Sequence, residues 1–387
     1  TAQQAKVPNL ITYDMGGTSC DVGLIRDGVP AVSSELEVEY AVPIHVPMVD
    51  VHTIGAGGGS IAFINEAGML QVGPRSAGAM PGPICYGRGG QEVTIADANL
   101  LLGRLNPEAL LSVTDPVRMQ DIASAFAQQI GDPLGMNAVA AAAAVLRIAN
   151  DRMAGALRMV SLSRGHDPRD FALFAFGGAG PLHAVELASE LGIPKVLIPA
   201  RPGITNALGC MVADLRHDYV RTINTPLSAL DTEVVHQALA QQEADGRAML
   251  ARENVDIEAV RIIRSADMQF QGQSHLLNIP LKSAEPTLES LHQLFEQAYW
   301  DRFEVSLPEI HPVLVNLHTA VLGRRPSIDL ASLAQPHSVA QTVKTRAVWF
   351  ANGETQTPIF RREHLASGQT LEGPAIIEQL DTTTVLP

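Results

Sequence analysis

The sequence is poor in cysteine, in basic residues and in long apolar runs, and each shortage removes a class of explanation. Only three cysteines occur, Cys20, Cys85 and Cys210, far apart and with no CxxC pair. No disulfide framework is therefore predicted, and the three read as isolated reduced thiols of a cytoplasmic protein. Lys and Arg number 27 against 41 Asp and Glu, a net charge of −14. A nucleic-acid surface needs a basic face, so that class of partner is excluded. Small anions stay in play, because backbone N–H groups and helix N-termini bind phosphate without net positive charge. No apolar run reaches the ~18 residues of a membrane span, and no signal-peptide core stands at the N-terminus, so no membrane partner is expected. What is present is 387 residues with 46% hydrophobic content, enough for two or three packed domains.

The stretch Ile11-Thr-Tyr-Asp-Met-Gly-Gly-Thr-Ser-Cys-Asp-Val-Gly-Leu-Ile25 organises the rest. Asn9 to Tyr13 is predicted to be a short buried strand, closed by Asp14. Gly16 and Gly17 make a tight turn whose N–H groups, with the Thr18 and Ser19 hydroxyls, can cradle an anion. From Asp21 the chain resumes as a second strand, so the element is a glycine-tipped hairpin. Cys20 lies inside it, and its alkylation is expected to block the turn. No helix opens behind the glycines, unlike a GxGxxG dinucleotide fingerprint, and no Gly-Lys-Ser/Thr follows, unlike a Walker loop. The same residue types also build plain polar hairpins.

Two further glycine segments come next. Gly55 to Ile61 holds five Gly or Ser in seven residues, too many for a core strand. It reads as a close approach of backbone to a ligand or another segment, or as a flexible loop tip. Gly73 to Gly90 has no regular period, and a loop this long in a compact domain is uncommon unless it covers a site. Its Arg75, Ser76, Tyr86 and Arg88 could face a ligand or tie down the loop's own backbone. Asp50 and His52, two apart in an extended segment, point the same way. They could be an acid/base pair, share a metal, or simply hold the glycine loop.

Later segments show helical and then mixed periodicity. Thr94 is predicted to cap a short helix, Thr114 or Asp115 one through Ile130, and Asn137 a long Ala-rich one from Ala138 to about Ser163. On it, Arg152 and Arg158 read as solvated or salt-bridged. Phe171 to Phe176 is a buried strand, Gly177-Gly-Ala-Gly180 a turn, and Pro181 begins a helix, so a helix N-terminus faces whatever the glycines admit. His166, Asp167 and His183 read as loop and helix-cap residues. Beyond Cys210 the order β-α-β-β-α-β suggests a ferredoxin-like insert. Short strands with turns at Asn352-Gly353 and Ser367-Gly368 end the chain and read as a small β module of their own. The predicted domains are 1–212, 213–323 and 324–387.

The blocks Asp14-Met-Gly-Gly-Thr-Ser-Cys-Asp21, Val49-Asp-Val-His-Thr-Ile-Gly-Ala-Gly-Gly-Gly-Ser60, Gly73 to Gly90 and Arg164 to His183 closely resemble the hydantoinase/oxoprolinase family, hydantoinase A type. The resemblance implies an α/β fold of the sugar kinase/Hsp70/actin superfamily: an actin-like ATPase lobe with the α+β insert and a small C-terminal β module. It implies ATP and Mg²⁺ as cofactors and ATP-dependent opening of a hydantoin or 5-oxoproline type ring. Relatives include ATP-dependent ketone carboxylase subunits, and a non-catalytic assembly module is a third alternative. By position it assigns Asp14 to catalysis and metal, and Asp50 and His52 to catalysis. Gly16, Gly17, Thr18, Ser19, Gly57, Gly58, Gly59, Gly177, Gly178 and Gly180 are assigned to the nucleotide. A hydantoinase B type subunit or an equivalent second half is the expected partner, a small cyclic amide the expected substrate, and self-association is left open. Family proteins begin with an earlier Asp-x-Gly-Gly-Thr hairpin, so the chain is expected to be a fragment without that lobe and inactive alone.

Overall fold

The computed structural model describes residues 5–33, 36–38, 42–44, 48–110, 113, 117–326 and 344–387. The chain forms two compact units, Thr1–Leu208 with Leu330–Pro387, and Gly209–Asp329.

The first unit is built on a mixed six-stranded sheet. Its central strand, Leu10–Met15, buries Leu10, Ile11, Tyr13 and Met15 and leaves Thr12 and Asp14 half-buried. On one side it runs parallel to Ala172–Phe176, and on the other it pairs with Cys20–Arg26 as an antiparallel hairpin. Val196–Leu197 extends the parallel side. Val29–Pro30 and Val51–Ile54 both pair with the outer edge of Cys20–Arg26. The long helix Ala138–Val160 packs on this sheet through its alanine-rich face, and Tyr13 directs its hydroxyl at the Met153 sulfur, 3.0 Å away. Asn137 caps that helix by accepting the Ala140 N–H at 2.8 Å. Thr94 caps Ile95–Leu101 in a full capping box with Asp97. The helix expected through Ile130 runs from Met119 to Phe126 and continues as wider turns over Ala127–Gly131. Its expected caps Thr114 and Asp115 lie outside the described residues.

The loop after Gly73 is tied down by its own neighbourhood. Buried Asp97 accepts the N–H groups of Cys85 at 2.8 Å and Ile84 at 3.3 Å. Arg75 pairs with Glu92, Arg88 reaches the Ala79 carbonyl and stacks over Tyr86, and Ser76 accepts the Gly78 N–H. The four polar side chains thus hold the loop itself. Arg158 pairs with Glu190 and Arg152 donates to the Val72 carbonyl.

The C-terminal strands Lys344–Phe350, Gly353–Arg361, Ala375–Glu378 and Thr383–Leu386 form a sheet in that order. They are no separate module, contrary to expectation. Val348, Ile359, Ile376 and Val385 share a core with Leu182 of the helix Gly180–Leu191, which places them in the first unit.

The second unit has the expected element order, Leu215–Pro226, Thr232–Arg252, Ala259–Phe270, Leu277–Leu281, Leu288–Phe303 and Pro312–Arg324. Its antiparallel sheet places the last strand between the first and the second. A ferredoxin-like sheet places the third strand there, so that expectation is corrected. The cause is burial: Pro312–Arg324 is the most continuously buried strand and takes the centre. The short Leu277–Leu281 carries Pro280, which suits an edge.

The Gly55–Ser60 segment lies backbone to backbone on the first glycine turn: Gly58 N–H donates to the Gly16 carbonyl at 3.0 Å and Gly59 N–H to that of Gly17 at 2.6 Å. A Cβ at Gly57 would stand 2.5 Å from the Thr18 nitrogen, whereas one at Gly58 would meet nothing closer than 3.9 Å. Gly57→Ala is accordingly expected to destabilise the protein by about 1–3 kcal/mol. Gly58→Ala should stay within about 0.5 kcal/mol of wild type. Urea unfolding midpoints compare the two, and equal midpoints would refute the tight fit at Gly57.

Candidate functional site

The two parallel strands Leu10–Met15 and Ala172–Phe176 end side by side, and each ends in a glycine turn. The carboxyl ends of parallel strands are where open α/β sheets bind ligands. In the first turn Gly16 N–H closes onto the Ser19 carbonyl at 3.1 Å. Among the described residues the N–H groups of Gly17 and Thr18 and the hydroxyls of Thr18 and Ser19 have no protein acceptor. In the second turn Gly177 adopts φ +80° and donates its N–H to the Pro202 carbonyl at 3.0 Å, while Ala179 N–H donates to Met15 at 3.0 Å. The N–H groups of Gly178 and Gly180 are unpaired among the described residues, and Gly180 opens a helix of 12 residues. Unpaired donors at a helix start favour an anion.

Asp14 stands between the turns. A Cβ at Gly177 would lie 2.3 Å from Asp14 Oδ1, so only glycine lets the second turn come this near. Asp14 Oδ2 accepts from Asn206 Nδ2 at 2.6 Å. Partial burial raises the Asp14 pKa above the usual carboxylate range, the Asn206 bond opposes that, and the Asp21 charge adds to it. Asp14 and Asp21 are cross-strand partners, and Asp21 is in turn opposite Thr53, whose hydroxyl it accepts. Asp14, Asp21 and Thr53 therefore form one row on one face of the sheet.

The same register corrects the expectation for Asp50 and His52. His52 is opposite Val22, which is opposite Tyr13, so His52 belongs to the face that carries the long helix, away from Asp14. Asp50, two residues before it, pairs with Arg164. Among the described residues no bond joins Asp50 to His52, and the two form no dyad. The direct cofactor role expected of Gly57, Gly58 and Gly59 is corrected as well. Their N–H groups donate to Ser60 Oγ, Gly16 and Gly17, so they brace the turn.

His183 is fully buried among Asn150, Asn99 and Glu186, with Nδ1 2.7 Å from Asn150 Oδ1. It is core. Cys20 is buried, and burial pushes its thiol pKa up, so it is shielded from alkylation. No group of three or more metal-ligating side chains occurs among the described residues. A cavity of about 720 Å³ lies between the helices Ala138–Val160 and Gly180–Leu191 and the Trp349 turn, and it holds none of the glycine-turn residues. No helix among the described residues is long and apolar enough to cross a membrane. Sequence reasoning missed Asn206 and Asp381. Only the contacts of Asn206 with Asp14 and of Asp381 with Gly203 reveal them.

A family model described as hydantoinase/oxoprolinase matches residues 1–219, and one described as its C-terminal domain matches residues 228–387. The chain belongs to the hydantoinase/oxoprolinase family. It is 37% identical over 397 residues to the caprolactamase subunit alpha of Pseudomonas jessenii, covering 100% of this chain and 57% of that one. The crystal structure of that ATP-dependent caprolactamase superposes with a TM-score of 0.80 at 36% identity over 100% of this chain and 57% of that one. The nucleotide-free structure of acetone carboxylase, whose carboxylation is ATP-dependent, superposes with a TM-score of 0.82 at 26% identity, again over 100% and 57%. A 5-oxoprolinase of Dictyostelium discoideum is 30% identical over 402 residues, 99% of this chain and 31% of that one. The chain thus spans a little over half of the first two proteins and about a third of the last.

Burial of His183 generates a test by pH. Desolvation, helped by the Arg104 charge, lowers its pKa from 6.5 to about 4. The unfolded chain takes up this proton near pH 6.5 and the folded chain only near pH 4, so stability falls as pH drops through that window. The loss from this group is at most about 3 kcal/mol. His183→Gln should flatten the dependence of urea stability on pH between 6.5 and 4, and an unchanged slope would refute the assignment.

Proposed function

We propose that the Gly16 and Gly177 turns hold the phosphates and nucleoside of ATP, and that the chain is the nucleotide-handling part of an ATP-dependent enzyme that opens a cyclic amide. The observation that carries this reading is the direct approach of the second turn to Asp14, with unpaired N–H groups on both turns. In this reading Gly17, Thr18 and Ser19 donate to phosphate oxygens, Gly178 and Gly180 donate from the helix start, and Asp14 orients the attacking group. The fold is then an actin-like ATPase lobe. The names of the relatives support ATP as the cofactor, since the caprolactamase and the acetone carboxylase are both described as ATP-dependent.

A divalent ion fits the donor set. Mg²⁺ takes one or two carboxylates and fills its shell with water and phosphate oxygens, and Asp14 with Asp21 beside it offers such a pair. When bound it would neutralise phosphate charge.

A lactam resists water because amide resonance deactivates its carbonyl carbon. Transfer of the γ-phosphoryl group to the amide oxygen makes a leaving group and an electrophilic carbon that water can attack. This chain's residues supply position and charge complementarity for the transfer. Hydrolysis of the activated ring is assigned to a hydantoinase B type partner or an equivalent second half. A second reading, a ketone carboxylase subunit, is favoured by the acetone carboxylase likeness, and bicarbonate-dependent ATP consumption would identify it.

Asp14→Asn in the complete enzyme is expected to lower ATP-dependent turnover by about 10²-fold or more. Burial already penalises the Asp14 charge, so the thermal unfolding midpoint should not fall. Turnover within a few-fold of wild type would remove Asp14 from the mechanism.

A further inference from the structure

The main chain of Asp14 is fixed by two ladders, with Phe176 as its parallel partner and Asp21 as its antiparallel one. Its carboxylate is not fixed by them. The last torsion of an aspartate is a broad, roughly two-fold rotor, so the plane of the two oxygens takes whatever direction its neighbours impose. Two neighbours act on it. Oδ1 lies against the Gly177 turn, in the space that a Cβ there would need, and Oδ2 accepts from Asn206 Nδ2 at 2.6 Å.

That donor is delivered by a stretch of chain that is secured without it. The Pro202 carbonyl accepts the Gly177 N–H at 3.0 Å, and Asp381 Oδ2, from the C-terminal sheet, accepts the Gly203 N–H at 2.9 Å. The Thr205 hydroxyl donates to the Arg201 carbonyl at 2.9 Å. A Cβ at Gly203 would stand only 2.8 Å from Asp381 Oδ2, so this stretch and the C-terminal sheet meet directly. Asn206 adds little to that hold. It is exposed, so its loss leaves no cavity, and among the described residues its side chain bonds to Asp14 and to nothing else. The effect of the bond falls on the carboxylate. Asp14 is half-buried rather than sealed in the core, so the pair stands where a ligand at the two turns can meet it.

We infer that Asn206 is the positioning residue for Asp14: its amide donor sets the plane of the carboxylate and leaves Oδ1 on the side of the Gly177 turn to orient the attacking group. The inference rests on Asp14 being the residue that orients that group. Asn206 itself touches no reacting atom. A carboxylate free to turn spends part of its time with neither oxygen in line, and partners that orient an active side chain from behind are worth about 10–100-fold in activity.

The test is a kinetic cycle on the complete enzyme. Asn206→Leu, close in volume and without a donor, should lower kcat by about 10-fold or more while KM for ATP stays within about 2-fold and the thermal unfolding midpoint is unchanged. In an Asp14→Asn background the same substitution should cost less than about 2-fold, because the carboxylate it acts through is gone. A kcat within about 2-fold of wild type overturns the inference and leaves the role of Asp14 standing. So does a loss that appears in KM instead of kcat, or one that persists in full beside Asp14→Asn. Should Asn206→Leu not fold, Asn206→Ala is read by the same three measures. If Asp14→Asn alone keeps wild-type turnover, the reading of Asp14 falls first and the inference with it.

Discussion

The first unit depends on one close approach, that of the Gly177 turn to the end of the strand Leu10–Met15. Ala179 donates to Met15, Gly177 leaves no room for a side chain beside Asp14, and the parallel register between Leu10–Met15 and Ala172–Phe176 brings these groups level. A strand and a turn more than 150 residues apart in sequence are joined by backbone donors and by the absence of one Cβ. Each of the other site contacts is referred to that junction. Gly57 to Gly59 stiffen the first turn from behind, and the Pro202–Asn206 stretch, held through Asn206 and Asp381, stiffens the second.

The electrostatics obey the same geometry. Asp14 and Asp21 are neighbours on one sheet face, and burial, with the Asp21 charge adding to it, raises the cost of ionising Asp14. Across the sheet the opposite face is apolar, with Tyr13 and Val22 under the long helix. Asp50 pairs with Arg164, and His183 is kept neutral by desolvation. An acidic protein can thus present a local anion cradle, because the donors are backbone N–H groups whose placement owes nothing to net charge.

Several features are legible in the sequence because they are local. The Asp14 to Ser19 turn, the Thr94 and Asn137 caps, the strand–glycine–helix element at Phe171 to Leu191 and the element order of the second unit all come from residue types at short spacing. The failures share a cause. Asp50 and His52 suggest joint action since alternate residues of a strand share a face, but the strand begins at Val51, and Asp50 stands before it and pairs with Arg164. Which face His52 takes depends on pairing with Cys20–Arg26, and a one-residue change of register would exchange the faces. The strand order of the second unit likewise depends on which strand is buried most, a property of packing. The C-terminal strands look independent in sequence because their contact with Leu182 spans more than 160 residues of chain.

The sequence by itself determined where the backbone can turn tightly, where helices start and which segments are apolar enough to be strands, since these depend on φ preferences, caps and spacing within a few residues. Tertiary structure alone decided that the two glycine turns share a corner, that Asp14 looks toward Asn206 and Gly177 while His52 looks away, and that Asp381 meets Gly203. Those relations are set by sheet register and long-range packing, which bring together groups that no local rule connects.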